Sequence, residues 1–475
     1  MLKGVIIGGG ISGLSLAHFL RLHEDPGGWE LWEASDRVGG TIGTDRVEGY
    51  SIDWGPNGFL DREPLTLRFV SELGLKDVLE PANKRSEKRF IVKQGRLHPV
   101  PFSPQLILKT GLLTPAEKLR IFAEPFVPAR RDDGDESVFD FAARRIGRGA
   151  AETFVDPMVS GVFGGIARQL SLPACFPIMR ELEVRHGGLV KGMIAHRRER
   201  RREQAGNPDP KPKSGGPAGP GGWLTSFQSG LDVLAQRLNE RLHRVIKTGR
   251  PVARVLRHPE AWEVTDESGH TVRSENVVVA CPAFAAEQIF RDFDGDLAQA
   301  FASISYAPIV VAATGHKRTD IEHPLDGFGF LIPHTQKLRT LGSIWTSSIF
   351  EARAPEGHVQ FRSMLGGAGD ADVLNLTDEE LWGTLRRELS HLIGIRGEPA
   401  FMRIYRWERG IPQFTLGHRE RRLRLEQCAA RHPGLYMVGN AYYGVSLNDC
   451  VKMAHRISLE IGNNDEVQMT NSNDE

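Results

Sequence analysis

Three glycines, Gly8, Gly10 and Gly13, followed by a carboxylate at Glu33, form the most chemically pointed spacing in the chain. They fit GxGxxG within the run GVIIGGGISGLSLAHFL, which starts at Gly4. In such a turn one glycine makes the bend, one lets the backbone approach a pyrophosphate, and one lets helix pack on strand. The N-terminus of the helix attracts phosphate. A carboxylate closing the next strand accepts ribose hydroxyls. The elements needed to hold these groups are legible too. Val5 to Ile7 reads as a buried strand, Leu14, Ala17, Phe19 and Leu20 as a helix face, and WELWE as a second strand ending at Glu33. A lone GxGxxG says little. Strand, turn, helix, strand and acid in order predict a dinucleotide site.

Three features favour FAD over a nicotinamide. Glu33 continues into ASDRVGG, supplying Arg37, Gly39 and Gly40, an extension that a nicotinamide dehydrogenase does not need. A second strand–glycine–helix unit, GLYMVGNAYYGVSLNDC, closes the chain, and its helix N-terminus could stabilise an anionic reduced flavin. No second GxGxxG with a following acid is present to bind NADPH, and no CxxC pair serves a disulfide reductase.

Between these units the pattern changes. From about residue 100 to 200 spaced apolar positions predict helices, with Thr114 and Asp135 as caps. HRRERRREQ at 196–204 and the Pro/Gly-rich 205–222 predict a charged face and a mobile loop. Residues 185–213 hold nine Lys or Arg against three acids, which reads as a solvated face or as contact with an anionic membrane surface. SGLDVLAQRLNERL places Leu231, Leu234, Leu238 and Leu242 on one helix face. Strands follow in PVARVLRH, AWEVTDE and SENVVVACPA, then in GFGFLIP, TLGSIWTSS and VQFRSMLGG. The polar residues after Gly462 predict a disordered tail.

Composition bounds the rest. A chain of 475 residues suggests two or three packed parts. Sixty Lys and Arg balance sixty Asp and Glu, which argues against a nucleic-acid partner. The four cysteines Cys175, Cys281, Cys428 and Cys450 show no metal spacing and read as packed, reduced thiols of a cytoplasmic protein. Met1 leads almost directly into a strand, so no signal or transit peptide is expected. The longest apolar run, Val277 to Ala286, is about half a membrane span.

The remaining question is the stretch IDWGPNGF, Ile52 to Phe59, where a turn sits shortly after the nucleotide unit. With GPNGFLDRE, KRFIVKQGRLHPVP, FQSGLDVLAQRL, DGFGFLIP, TLGSIWTSS, RWERGIPQFTLGH and VGNAYYGVSLNDC, it makes the chain resemble the oxygen-dependent protoporphyrinogen oxidases, most of all bacterial ones, from Gly4 to Gly462. EASDRVGG marks only the wider amine-oxidase and phytoene-desaturase superfamily.

The resemblance implies a mixed α/β fold in three parts. These are a discontinuous Rossmann-like FAD-binding domain (1–88, 223–290, 405–462), a helical substrate- and membrane-facing domain (89–222) with the mobile loop 205–222, and a mixed-sheet substrate-binding domain (291–404), with 463–475 a disordered tail. It implies FAD and a tetrapyrrole substrate, oxidised in three two-electron steps with O2 as acceptor and H2O2 as product in haem synthesis. It carries FAD contacts to Gly8, Gly10, Ile11, Ser12, Gly13, Glu33, Arg37, Gly39, Gly40, Thr41, Gly55, Pro56, Val252, Ala280, Trp407, Gly439, Asn440, Val445 and Ser446. Asn57 would face the macrocycle, Arg89 its carboxylate end, and Leu331, Ile344 and Met364 its rings. Family members are often dimers peripheral to a membrane, on its cytoplasmic face in bacteria, and hand their porphyrin to a ferrochelatase.

Plainer readings stand beside these. Asn57 also suits a turn, Arg89 a surface, and Leu331, Ile344, Met364 and Trp407 a core. Coproporphyrinogen oxidation, with four carboxylates on the substrate, is the nearest alternative. An amine oxidase or a carotenoid desaturase is another, because Tyr442 and Tyr443 could form an aromatic cage. A FAD-binding membrane scaffold without turnover is the third.

Overall fold

The computed structural model describes residues 1–195, 198 and 222–472, from 464 onward by backbone alone. The run at 196–204, except Arg198, lies outside the described residues, as do positions 205–221 and 473–475.

The first strand, β1 (Leu2–Ile7), is an apolar segment buried on both sides, as a central parallel strand must be. It pairs in parallel with β2 (Trp29–Trp32) on one side and with Thr271–Val279 on the other. Ile246–Lys247 extends this seven-stranded sheet beyond β2. Trp262–Asp266 and Val252–Arg257 add antiparallel strands at the far edge, and Leu435–Met437 joins Thr271–Val279 in parallel. Helix α1 (Ile11–Phe19) and the helices Asp232–Leu242 and Leu447–Ser472 cover one face. Leu231, Leu234, Leu238 and Leu242 are all buried there, as their spacing predicts. The helices Ala283–Phe290, Gly295–Ala302 and His418–Ala430 cover the other face.

A second seven-stranded sheet runs Phe401–Pro412, Tyr306–Lys317, His358–Gly366, Thr340–Trp345, Gly329–Leu331, Phe90–Lys93, Arg96–Pro99. One face packs on the helix Asp378–Ile393 through Phe330, Trp345, Phe361 and Leu365. Helices between Pro104 and His186 form a third cluster around Val138, Phe141, Val159 and Leu170.

The expected part boundaries shift in three places. The strands Phe90–Lys93 and Arg96–Pro99 belong to the second sheet, because Phe90 pairs in parallel with Phe330. The boundary at 405 would cut the strand Phe401–Pro412, which also lies in that sheet. The helix Gly295–Ala302 buries Leu297 and Phe301 against the first sheet, so that unit runs past 290.

Local expectations need two corrections. Thr114 caps its helix in a full capping box, but Ser137, not Asp135, caps Val138–Ile146. Asp135 instead accepts hydrogen bonds from Ser171 Oγ and the Gly417 N–H. The last helix does not stop at Gly462 but continues to Ser472. No proline interrupts the segment, and extending a formed helix needs no new nucleus.

Candidate functional site

The dinucleotide turn has the geometry its glycines allow. Gly8 takes φ +113°, and a Cβ on Gly13 would stand 2.1 Å from the Gly8 carbonyl oxygen, so helix and turn touch backbone to backbone. The Glu33 carboxylate accepts the Gly9 N–H at 2.7 Å and the Ser35 N–H at 2.9 Å. The Ser35 hydroxyl also donates to the oxygen that takes the Ser35 N–H, so the other oxygen, Oε2, keeps a lone pair for a ribose hydroxyl. The VGG extension docks on the turn itself. Gly39 N–H bonds the Gly9 carbonyl at 2.8 Å, and Arg37 ties the carbonyls of Val38, Gly40 and Ile42 together.

These elements line a cavity of about 600 Å³. Of the FAD residues predicted from sequence, Gly8, Gly10, Ile11, Ser12, Glu33, Gly39, Gly40, Thr41, Val252, Ala280, Trp407, Gly439 and Asn440 line it. Six do not. Gly13 is buried in the helix–turn contact, and Arg37 stands behind the Gly39–Gly40 turn. Gly55 and Pro56 form a turn one step outside, with Gly55 packed against the Thr41 backbone. Val445 packs on the helical cluster, and Ser446 accepts the Asp449 N–H at 3.2 Å as a cap of the final helix.

Sequence reasoning overlooked several lining groups. Arg250, Glu267, Phe284, Tyr306 and Arg409 all reach this cavity, as does Cys281. Burial pushes the Cys281 thiol up to about 12, so it is protonated and inert at neutral pH. Tyr306 accepts the Ala283 N–H at 3.0 Å, and burial pushes its phenol up to about 12. Val252, Ala280 and Trp407 marked this end of the site, but the side chains beside them carried no sign of reaching the cavity.

IDWGPNGF also has a role that spacing could not show. The Trp54 ring lies between the Arg37 guanidinium, 4.3 Å from its centroid, and the Tyr405 ring, stacked at 6.0 Å. Tyr405 donates its hydroxyl to Asp45 at 2.7 Å, and burial together with that carboxylate pushes its pKa well up. This stack ties the nucleotide turn to the second sheet. The following turn leaves Asn57 Nδ2 buried without a protein partner.

The second sheet sets out the other predicted positions. Leu331 pairs with Gly342, Gly342 with Met364, and Met364 with Val311, a row crossing four strands. Ile344 lies one row away, opposite Arg362. Paired residues in antiparallel strands share a face. Leu331, Ile344 and Met364 are each half-buried, whereas their neighbours Phe330, Ser343, Trp345, Phe361, Ser363 and Leu365 are buried. This face is therefore the accessible one. Met364 packs in one cluster with Trp407, which lines the cavity, so the apolar wall continues the dinucleotide site. The helix Asp156–Phe163 brings Gly161 against Leu331 from the opposite side. Arg89 is half-buried with its guanidinium 5.1 Å from the Phe328 ring centroid, and Phe328 packs beside Ile344. Burial lowers Arg89 to about 10, which leaves it charged at neutral pH.

Two absences bear on the alternatives. Neither Tyr442 nor Tyr443 lines the cavity: Tyr442 is buried near Phe301, and Tyr443 packs between Arg422 and Arg456. Among the described residues, no cluster of His, Cys, Asp or Glu could hold a metal.

The sequence profile of the flavin-containing amine oxidoreductases matches residues 11–461. The chain belongs to that family. It is 31% identical to a chloroplastic protoporphyrinogen oxidase of Oryza sativa subsp. japonica, over 96% of this chain and 87% of that one. It is 28% identical to a coproporphyrinogen III oxidase of Bacillus subtilis, over 94% of this chain and 95% of that one. A crystal structure of a protein from Exiguobacterium sp., provisionally named protoporphyrinogen oxidase, superposes with TM-score 0.82 at 26% identity, over 97% of this chain and 98% of that one.

The protein is therefore a flavin-dependent oxidoreductase, and FAD is its cofactor. The residues fit the group. The cavity matches a dinucleotide in size, and a Cβ on Gly10 would meet no protein atom within 4 Å, so the turn faces open cavity. Buried Trp407 Nε1 has no protein partner at the cavity wall. When bound, FAD supplies a two-electron acceptor for hydride. Gly8 to Ser12 would hold its phosphates, Glu33 the ribose, and Thr41 and Trp407 would lie toward its ring.

Proposed function

We propose that this enzyme oxidises a porphyrinogen in haem synthesis, converting protoporphyrinogen IX to protoporphyrin IX. Three two-electron steps remove six hydrogens, and three O2 leave as three H2O2. The observation that carries this reading is the wall of Leu331, Ile344 and Met364, apolar, half-buried, on one sheet face and continuous with Trp407. A flat apolar macrocycle suits such a wall, whereas a small amine needs a cage. Arg89 beside that wall suits a propionate, which a guanidinium grips in two places. Asn57, with its buried amide unpartnered, orients the macrocycle edge. The names of the rice and Bacillus subtilis relatives support the same substrate class.

Coproporphyrinogen III is the second reading, favoured by the name of the Bacillus subtilis relative. The test is aerobic turnover of each porphyrinogen against an enzyme-free control, scoring porphyrin fluorescence and peroxide. Three peroxides per porphyrin are expected, with the larger kcat/KM for protoporphyrinogen. A larger value for coproporphyrinogen would select the second reading, and no porphyrin above the control would end both.

The chain also has a face suited to a membrane surface. Phe102, Leu108, Leu119, Phe126 and Val184 of the helical region are all more than half exposed. No helix among the described residues is long and apolar enough to cross a membrane. Peripheral contact through this face predicts flotation with anionic vesicles that is lost on changing Leu119 and Phe126 to Ser; flotation that persists in the double variant would exclude this face.

A further inference from the structure

Arg362 lies in mid-strand on the accessible face of the second sheet, yet it is only 6% exposed. Its Nη2 donates to the carbonyl of Gly55, in a strand–turn contact 307 residues apart in sequence. Its Nε is buried with no partner.

Among the described residues no carboxylate forms an ion pair with it. Asp53 is the nearby carboxylate, and its Oδ1 already accepts the Thr44 hydroxyl at 2.7 Å and the Leu231 N–H at 2.9 Å. Its Oδ2 lies 3.3 Å from Arg353 Nη2, a second fully buried guanidinium. Glu80 faces Arg353 and accepts the Glu351 N–H at 2.9 Å, and Asp45 holds the Tyr405 hydroxyl. Asp53 and Glu80 thus both lie near Arg353, while Arg362 forms no ion pair among the described residues, and a guanidinium stays protonated even when burial weakens it. Buried charge of this kind is costly unless an opposite charge offsets it.

The position of the turn says where that charge acts. A Cβ on Gly55 would fall 2.4 Å from the Thr41 carbonyl oxygen, so the turn rests directly on a cavity-lining residue. Glu33 and Val252 mark the adenosine end of the cavity, and Thr41 and Trp407 lie toward the other end, where the ring must extend. Trp54, the residue before Gly55, is clamped by Arg37 and Tyr405. Arg362 fixes the carbonyl that follows.

We propose that Arg362 is a positioning residue for the flavin: it sets the Gly55 turn against Thr41 and places a buried guanidinium without an ion-pair partner at the ring end of the cavity, favouring the anionic reduced cofactor. Two electrons and one proton added to the ring leave it with one negative charge, and a fixed cation in a region of low dielectric stabilises that state. The inference depends on FAD at this site and not on the identity of the substrate.

The test is the FAD midpoint potential and the affinity for sulfite, an anion that adds to oxidised flavin, in the purified holoenzyme. Arg362→Gln keeps a donor for the Gly55 carbonyl and loses the charge. It should shift the two-electron equilibrium about tenfold toward oxidised flavin, roughly 30 mV for a two-electron couple, and weaken sulfite binding by a similar factor. Arg362→Lys should stay within about threefold of wild type, since the charge is kept. Potential and sulfite affinity unchanged in Arg362→Gln, or lost equally in Arg362→Lys, would overturn the proposal. If Arg362→Gln fails to hold FAD, Asp53→Asn decides. Removing this nearby carboxylate should raise the potential, and an unchanged or lower potential would refute the charge assignment.

Discussion

Gly10 and Gly13, three positions apart in the same turn, should respond to the same substitution in different ways. At Gly13 a Cβ would lie 2.1 Å from the Gly8 carbonyl oxygen and 3.2 Å from Ala280 Cβ. A carbon and an oxygen do not approach closer than about 3 Å, so Gly13→Ala forces a displacement of about 1 Å between α1 and the turn. Neither side can yield cheaply, because Leu14, Leu16 and Ala17 fix the helix in the core and β1 fixes the turn. Overpacking of this kind costs about 1–3 kcal/mol in the apoprotein. At Gly10 the same methyl meets no protein atom within 4 Å, and the backbone, at φ −71° and ψ 177°, suits alanine. Gly10→Ala should therefore leave apoprotein stability within about 0.5 kcal/mol of wild type. Its methyl projects into space FAD needs, so FAD affinity should fall about tenfold or more, equal to about 1.4 kcal/mol. The assay is thermal unfolding of deflavinated protein together with FAD titration by fluorescence quenching. Gly13→Ala should lose on both measures and Gly10→Ala on the second alone. A Gly13→Ala protein with wild-type melting and FAD affinity, or a Gly10→Ala protein that melts early while binding FAD normally, would refute the reasoning.

Other outcomes follow from the same geometry. Asn57→Ala should retain full FAD stoichiometry and lower kcat/KM for porphyrinogen about tenfold, measured by porphyrin fluorescence; an unchanged kcat/KM would return Asn57 to a turn former. Trp54→Ala empties the stack between Arg37 and Tyr405 and should cost about 2–3 kcal/mol in urea unfolding, while a loss below about 0.5 would show that the stack carries little. His316 and His418 are buried, and burial lowers each to about 4. The unfolded chain binds those protons near 6.5, so stability is full above about 6.5 and falls as the pH drops toward 4. Each should contribute on the order of 2–3 kcal/mol of that loss. His418→Gln should flatten its share of the profile between pH 6.5 and 4, and an unaltered profile would contradict the assignment.

What sequence could and could not reveal follows from the range of the contacts. The nucleotide turn was legible because strand, glycines, helix and acid lie within thirty residues and each answers to a local rule. The face of Asp232–Leu242 was legible for the same reason. The long-range pairings were not. Nothing in KRFIVKQGRLHPVP says that Phe90 will pair with Phe330, so the sheet gained two strands that had been assigned to the helices. Trp54 carried no sign of its stacking partner Tyr405, nor Arg362 of Gly55, because neither pair leaves a local pattern. Leu331, Ile344 and Met364 looked like any core residues in sequence. Sheet register is what puts them on the accessible face beside Trp407. The tail is polar, yet the last helix runs through it to Ser472 because no proline stops a helix already formed.

The central claim is that a porphyrinogen, and not an amine, reduces the flavin of this protein. Anaerobic stopped-flow mixing of the oxidised holoenzyme with protoporphyrinogen IX, coproporphyrinogen III and putrescine measures that step before oxygen intervenes. Flavin absorbance should be lost rapidly with protoporphyrinogen and not with putrescine on the same timescale. Reduction by putrescine with both porphyrinogens inert would contradict it, leaving the apolar wall of Leu331, Ile344 and Met364 without the ligand assigned to it.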